Sequence, residues 1–347
     1  MGRGLWVDLG SVIELKKKRL QEVRLGDTPV ALTFKDGVFS AVSGECNHEK
    51  GPLGKGRTDG EYIICPWHGW TFHRKTGHGK HPFEAACLPR YALKDSRGHL
   101  FINTKPMNRR AEYPHPPHPL SRRITRGDGP IRVAGISTTA MSKSLPRYST
   151  SEDLLETALK HARTRLRAET KLIKLRDLKF HHCGGFYSID ERACTWPCSF
   201  TQMDQKDQMT EIYEALVFWA DVVVVATPVR WGSASSLYYK MAERLNCVEN
   251  QSLIAGKDLI KDKTAAFILT GGQDNIQAVA GTMMMFFGEL GFAFADRPFT
   301  AHSRGWEAED MANNVDYVKS NKVLKQDVRR LIERTVAMSR RILKKKI

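Results

Sequence analysis

Apolar and polar residues alternate in short stretches along the first hundred residues of the chain. The stretches VALTFKDGVFSAV, GEYIIC, GWTFHRKTG and HLFINT mix apolar and polar residues in short alternating segments and contain or border glycine-bearing turns. Such alternation is typical of strands with one buried face. The pattern therefore predicts a small all-β domain over residues 1–105.

The pattern changes after residue 130 to continuous apolar runs that alternate with helical stretches. IRVAGIS, ADVVVVATPVRWG and KTAAFILTGGQDN are buried strands by this criterion, and SEDLLETALKHARTRLRAE follows the first of them as a helix. Strands buried on both faces and separated by helices form parallel sheets. We expect a doubly wound parallel α/β sheet over residues 131–347, ending in a basic amphipathic helix. Residues 106–130, rich in proline and charge without periodicity, are expected to be a semi-extended linker.

Composition limits the classes of protein that need considering. The 347 residues are 41% hydrophobic and 27% charged, without a run of about 18 apolar residues, so no membrane span is expected. The N-terminus lacks the order of a secretory signal, which indicates a cytoplasmic protein. The net charge of +16 is concentrated in the linker and the chain ends, so nucleic acid is not an expected partner. The 7 cysteines, odd in number and irregularly spaced, favour thiols or metal ligands over disulfides.

Two short loops of the first domain each contain one cysteine and one histidine. Cys46 and His48 lie in GECNHEKGPLGKG, and Cys65 and His68 lie in CPWHGW. Zinc sites prefer two pairs of like spacing, whereas mixed Cys/His pairs suit a two-iron cluster in which imidazoles raise the potential. A zinc ribbon remains the alternative interpretation. His73, His78, His81 and Cys87 fall outside this pattern and are interpreted as loop or core residues.

Over residues 5–105 this two-loop motif resembles the Rieske family. The resemblance implies a [2Fe-2S] cluster with Cys46 and Cys65 on one iron and His48 and His68 on the other. The loops lack the additional cysteines of respiratory-chain members, so the chain is similar to the ferredoxin and ring-hydroxylating oxygenase branch. In that branch Trp70 replaces a hydroxyl donor to the cluster, which implies a low potential. No convincing mononuclear iron site of two histidines and a carboxylate follows residue 105.

The loop after the first parallel strand is rich in hydroxyl side chains and has no G-x-G-x-x-G, so a Rossmann dinucleotide site is not indicated. It ends at Ser149, Thr150 and Ser151, with Glu152 and Asp153 at capping-box spacing. Hydroxyl groups and free amides at a helix N-terminus suit a phosphate monoester.

Residues 131–310 resemble the flavodoxin-like NAD(P)H-dependent FMN oxidoreductases, a group that includes iron-sulfur flavoproteins. The resemblance is carried by ATPVRWGSASSLYYKMAERL and TGGQDN. It implies an FMN phosphate site formed by Ser137, Thr139, Ser149, Thr150 and Ser151. It implies an isoalloxazine edge formed by Thr227, Pro228, Val229, Arg230, Trp231, Gly232, Gly271, Gly272, Gln273, Asp274 and Asn275.

Several residues of the second domain allow two interpretations. Arg230 contacts a nucleotide phosphate or faces solvent, and Trp231 stacks near the flavin or belongs to the core. Cys183, Cys194 and Cys198 are three candidate ligands of a second cluster or are buried or loop thiols, and Cys247 is expected in the core.

The combined pattern predicts an oxidoreductase that takes hydride from NAD(P)H to FMN and passes single electrons to the cluster. The expected acceptor is a quinone, a flavin or a protein such as an oxygenase or an acidic redox protein, and a homo-oligomer is expected. One alternative is a quinone or aromatic reductase that acts directly at FMN, with a peripheral cluster. Another is a redox sensor or carrier without catalysis. The sequence assigns no catalytic residue and does not distinguish NADH from NADPH.

Overall fold

The computed structural model describes residues 5–81, 84–111, 118–142, 144–204, 206–271, 275–303 and 308–344. Contacts divide the chain into two compact units. The first unit comprises Met1–Pro117 and Gly185–Ala193, and the second comprises His118–Gly184 and Cys194–Ile347. The predicted domain limits at residues 105 and 130 stay predictions.

The first unit is built from antiparallel strands. In chain order its elements are β1 (Trp6–Ser11), α1 (Val12–Leu15), β2 (Leu20–Leu25), β3 (Thr28–Lys35), β4 (Val38–Ser43), β5 (Arg57–Asp59), β6 (Tyr62–Ile64), β7 (Thr71–His73), β8 (Arg90–Ser96) and β9 (His99–Pro106). The larger sheet has the order β1-β9-β8-β4-β3-β2, and the smaller sheet has the order β5-β6-β7.

The alternation of side chains along β3 separates two apolar clusters in the first unit. Val30 and Leu32 pack into one cluster with Ile102, whereas Ala31 packs into the other with Cys46 and Cys65. Neighbouring residues of a strand point to opposite faces, so one strand supports both clusters. The predicted all-β domain is confirmed, and one of its two apolar clusters contains the candidate cysteine ligands.

The second unit has a parallel sheet with helices on both faces. Its elements are β10 (Arg132–Ser137), α2 (Thr150–Arg165), β11 (Glu169–Lys174), α3 (Ser199–Met203), α4 (Met209–Tyr213), β12 (Val222–Val229), α5 (Ser236–Arg244), α6 (Asn246–Leu253), β13 (Thr264–Gly271), α7 (Ile276–Glu289), β14 (Ala293–Ser303), α8 (Ala308–Ser320) and α9 (Lys322–Lys344). The strand order is β11-β10-β12-β13-β14, and every pairing is parallel. This is the flavodoxin order, so the predicted doubly wound fold is confirmed.

Alternate residues of β12 pack into the apolar clusters on opposite faces of this sheet. Val223 and Val225 belong to one cluster, and Val222 and Val224 belong to the other. Strands covered on both faces must be apolar throughout, which explains the VVVV run. At Gly135 in β10, an added Cβ would lie 2.7 Å from a methyl carbon of Leu159, so this glycine permits α2 to pack closely.

The terminal helix α9 packs through the apolar positions that its sequence predicts. Leu324, Val328, Leu331, Ile332 and Val336 are buried in the cluster that also includes α2. In the described part of the chain, no helix is both long enough and apolar enough to cross a membrane.

Candidate metal centre and cofactor site

Two tight loops position the candidate cluster ligands in the first unit. In the first loop, Cys46 N donates to Gly51 O at 2.9 Å, and in the second, Cys65 N donates to Trp70 O at 2.8 Å. The first loop follows β4, and the second connects β6 with β7. Each loop therefore holds its cysteine by backbone hydrogen bonds at the end of a strand.

The four predicted ligands are brought together as two pairs of like atoms. The Nδ1 atoms of His48 and His68 lie 2.8 Å apart. The thiols of Cys46 and Cys65 are buried and interact directly, and this contact, followed by burial, raises the pKa of Cys46 well above its ordinary value. Two adjacent buried thiols resist ionising together, a conflict that bound ferric iron removes. The donor set fits a cluster with two thiolates and two imidazoles, although the individual ligand assignments stay predictions.

The hydrogen bond of His68 defines which of its ring nitrogens carries hydrogen. His68 Nε2 lies 2.7 Å from the backbone oxygen of Ala193. Since a carbonyl oxygen only accepts, Nε2 donates, and burial lowers the pKa of His68 to about 4 so that the ring is neutral. Nδ1 consequently presents a lone pair toward His48, as a metal ligand requires.

Groups around the ligands restrict the space and supply hydrogen bonds. The backbone N–H groups of Trp67 and His68 donate to the sulfur of Cys65. The ring of Trp70 is stacked on His48, with centroids 5.1 Å apart and 3° between the planes. At Gly51, an added Cβ would lie 2.8 Å from the sulfur of Cys65. Hydrogen bonds and packing of this kind set the potential of iron-sulfur centres.

Three residues outside the two-loop motif have surroundings of other kinds. Backbone N–H of Lys75 donates to His73 Nδ1 at 3.2 Å, and His81 lies 2.8 Å from the carboxylate of Glu84. Cys87 is buried. The loop motif distinguishes the predicted ligands from these neighbouring residues, and the ligand set itself stays a prediction.

Three of the predicted phosphate-binding hydroxyl groups converge at the N-terminus of α2. The oxygen of Thr139 lies 2.8 Å from that of Ser149 and 3.1 Å from that of Ser151. Ser149 is also the N-cap of α2, accepting a hydrogen bond from Glu152 N at 3.4 Å. Hydroxyl groups and a helix N-terminus fit a phosphate monoester, and the contacts with FMN stay predictions.

The other two predicted phosphate ligands have different partners. Ser137 is fully buried, and its hydroxyl donates to Glu152 at 2.9 Å. Thr150 accepts a hydrogen bond from Asn314 at 2.9 Å. Burial by itself would raise the pKa of Glu152, but hydrogen bonds from Arg176, Lys174 and Ser137 outweigh it and lower the pKa to about 2. Sequence reasoning assigned Glu152 only to the helix cap, because its long-range partners carry no local signal.

The loop after β12 forms a two-residue hairpin that presents Trp231. Arg230 N donates to Ser233 O at 2.8 Å, and Ser233 N donates back at 3.0 Å. Trp231 and Gly232 have φ values of 51° and 65°, as in a type I′ turn. The side chain of Trp231 is 91% exposed, so its interpretation as a core residue is wrong.

The two predicted loops at the isoalloxazine edge meet at Asn275. Asn275 Nδ2 donates to Gly232 O at 2.8 Å, and Gly271 pairs with Val229 in the parallel sheet. Thr227 and Pro228 belong to the same end of β12. Gly272, Gln273 and Asp274 lie outside the described residues. The loops thus converge at the carboxyl edge of the sheet, where such folds bind ligands.

The remaining cysteines lie in the second unit. Contact with Cys247, together with the charge of Arg244, lowers the pKa of Cys198 to about 6 against the effect of burial. Burial raises the pKa of Cys194 to about 12. Cys247 lies in the core as expected, and the interpretation of Cys183, Cys194 and Cys198 as cluster ligands stays open. Among the described residues, no three His, Cys, Asp or Glu side chains are placed to hold one metal ion.

Comparison with known families finds a match in each of two stretches of the chain. A model of the Rieske [2Fe-2S] domain matches residues 5–92, and a model of the NADPH-dependent FMN reductase family matches residues 136–307. Ferredoxin CarAc of Metapseudomonas resinovorans is 30% identical over 74 residues, which are 21% of this chain and 69% of that protein.

Two further similar proteins have names or titles that refer to a riboflavin-5'-phosphate compound. The 8-demethyl-8-aminoriboflavin-5'-phosphate synthase of Streptomyces davaonensis is 28% identical over 74 residues, covering 21% of this chain and 29% of that protein. A crystal structure of RosB with bound 8-demethyl-8-formylriboflavin-5'-phosphate has 17% identity and a TM-score of 0.47, covering 62% of this chain and 81% of that one. The chain spans only 27% and 29% of the length of two curated relatives that it matches.

Proposed function

This chain joins a Rieske [2Fe-2S] domain to an NADPH-dependent FMN reductase domain, and we propose that it passes electrons from NAD(P)H through FMN to the cluster and then to a second molecule. It is an oxidoreductase whose cofactors are a [2Fe-2S] cluster and FMN, with NAD(P)H as a further cofactor. The electron route and the acceptor are the parts that we add.

The proposal assigns complementary tasks to the two sites. Flavin accepts two electrons as hydride and releases them singly, which suits it to stand between a nicotinamide and a one-electron centre. The hydroxyl groups of Thr139, Ser149 and Ser151 would hold the phosphate, and the loops joined by Asn275 would lie at the ring edge. One chain carrying both centres raises the effective concentration of each beside the other.

The observation that supports this route best is the arrangement of the two histidines. Their Nδ1 atoms face each other at 2.8 Å, and the Nε2 hydrogen of His68 is held by a backbone carbonyl. The Ala193 carbonyl therefore fixes both the tautomer and the direction of the His68 ring. Such preorganisation limits the structural change that accompanies a change of charge, as electron transfer requires.

For the acceptor we propose a quinone, a free flavin or a redox protein such as an oxygenase. One relative is a ferredoxin, which supports a protein acceptor. The homo-oligomer and the cytoplasmic location stay predictions.

An anaerobic titration with NADH and with NADPH tests the route. The purified protein should contain about two irons and two sulfides per chain, an EPR signal of the mixed-ligand type and extractable FMN. Flavin and cluster absorption should both bleach with the preferred nucleotide. Stoichiometric zinc or extractable FAD would contradict the assignment of the sites.

The variant His68→Ala separates the proposed route from its alternatives. We expect turnover with the external acceptor to be lost while FMN stays bound, and His81→Ala, an exposed histidine of the same unit, to behave as wild type. Persistent turnover in His68→Ala would indicate a reductase acting directly at FMN. Absence of NAD(P)H oxidation in the wild type would indicate a sensor or carrier.

A further inference from the structure

The segment Gly185–Ala193, called here the inserted segment, is part of the first unit although its neighbours in the chain belong to the second. The chain leaves the second unit after Gly184 and returns to it at Cys194. Ala193 is completely buried, in the same apolar cluster as Cys46, Cys65 and Trp67. The inserted segment therefore completes the core around the candidate cluster.

The contacts of the inserted segment concentrate on one of the four predicted ligands. The carbonyl oxygen of Ala193 accepts the Nε2 hydrogen of His68 at 2.7 Å, and the ring of Phe186 meets the His68 ring edge-on at 5.6 Å. The guanidinium of Arg192 lies 5.4 Å from the ring centroid of Trp67, the residue before His68, and pairs with Asp190 at 2.9 Å.

The two histidine ligands consequently differ in accessibility. His68 is only 2% exposed, so another molecule cannot contact its ring without displacing the inserted segment. His48 is partly exposed and is stacked on Trp70. An electron carrier that bound both its donor and its acceptor transiently would need a solvent-accessible side of the cluster for each of them.

We propose that the inserted segment makes the contact with His68 through which electrons enter the cluster, and that the His48 side is left to the external acceptor. This inference rests on the electron route proposed above. The hydrogen bond from His68 reaches the carbonyl of Ala193, whose peptide bond leads directly into Cys194 of the second unit. Each transfer moves one electron. The hydrogen of His68 stays bonded to Nε2 and hydrogen-bonded to the Ala193 oxygen.

The variant Phe186→Ala tests this role, with Tyr187→Ala as a matched control because Tyr187 lies in the same segment but is 50% exposed. After anaerobic mixing with NADPH, stopped-flow absorption should show that Phe186→Ala slows cluster reduction about tenfold or more, a typical effect of altering a partner of a metal ligand. Reduction of the cluster by dithionite, a small external reductant, should keep its wild-type rate. The control should match wild type in both measurements.

A spectroscopic measurement adds a readout that does not depend on the flavin. In dithionite-reduced protein, pulsed EPR should show changed nitrogen couplings of His68 in Phe186→Ala and wild-type couplings in Tyr187→Ala. If Phe186→Ala does not fold, the variant Ala193→Glu takes its place in the test. A carboxylate at this buried position should displace the inserted segment from the apolar cluster. Unchanged NADPH-driven reduction, or equal slowing with dithionite and NADPH, would overturn the inference. A wild-type cluster that stays oxidised while FMN is reduced would instead refute the electron route itself, and the inference with it.

Discussion

Removing the carboxylate of Asp207 should strongly destabilise the second unit, because it is the counter-charge of a buried arginine. Arg244 donates to Asp207 at 2.6 and 3.3 Å, and both side chains are 0% exposed. Arg244 also donates to His181 O and to Thr201, so it connects the chain on both sides of the inserted segment. Asp207→Ala would leave the buried guanidinium without this carboxylate.

The expected cost follows from this burial. Breaking a buried pair by removing one partner costs about 3–5 kcal/mol. For a unit of this size each kcal/mol lowers the melting temperature by roughly 2–4 °C, which predicts a decrease of about 6–20 °C. Hydrogen exchange of peptides from β12 and β13 during thermal unfolding measures this decrease in the melting temperature. Asp327→Ala, which removes an exposed ion pair, should change stability by less than about 0.5 kcal/mol.

A second variant and the pH dependence make the reasoning refutable. Asp207→Ala combined with Arg244→Met should recover part of the loss, because the buried guanidinium is then removed together with the carboxylate. Burial opposes ionisation of Asp207, but hydrogen bonds from Arg244 outweigh it and lower the pKa of this carboxyl below its ordinary value. Its stabilisation is therefore complete above about pH 4 and is lost as pH falls through the folded-state value, so Asp207→Asn and wild type should converge in acid. A cost below about 1 kcal/mol for Asp207→Ala at pH 7 would refute the argument.

Three further substitutions test the sites directly. Gly51→Ala places a Cβ 2.8 Å from the sulfur of Cys65 and should lower iron and sulfide per chain, whereas Gly127→Ala, in open space, should not. A full iron complement in Gly51→Ala would contradict this close approach. The left-handed conformation of a non-glycine residue costs about 1–2 kcal/mol, and Trp231→Gly removes this cost. Glycine also increases the entropy of the unfolded chain, so calorimetry should show that the free energy of unfolding rises by about 0.5–1 kcal/mol. A loss would mean that the exposed indole has stabilising contacts. Thr139→Val should weaken FMN binding by about 1 kcal/mol, roughly fivefold in Kd by flavin fluorescence, and unchanged affinity would remove Thr139 from the phosphate site.

The sequence was sufficient wherever the signal is local. Cys46 and His48 share one loop, as do Cys65 and His68, and this local spacing is what the predicted ligand set rests on. The apolar runs of the parallel strands are continuous, so the fold could be predicted. The contact between His68 and Ala193 could not, because it joins residues 125 positions apart through a backbone atom.

The flavin loops show the same division between local and distant signals. Hydroxyl groups at the start of α2 were recognisable from their spacing. That Ser137 is committed to Glu152 depends on the packing of β10 against α2. The exposure of Trp231 depends on a left-handed turn conformation that its residue type disfavours, so the sequence left a place near the flavin and a place in the core as alternatives.

The inserted segment has a consequence for how the protein is made. Residues up to Pro117 leave the ribosome well before Ala193, although Ala193 belongs to their apolar core. At about 5–20 residues per second, roughly 4–15 seconds pass before the chain contains the residue that covers His68. During that interval the nascent first unit lacks the Ala193 carbonyl that accepts the hydrogen bond of His68. The apolar core around the predicted ligands is therefore complete only after the first part of the second unit, residues 118–184, has been synthesised.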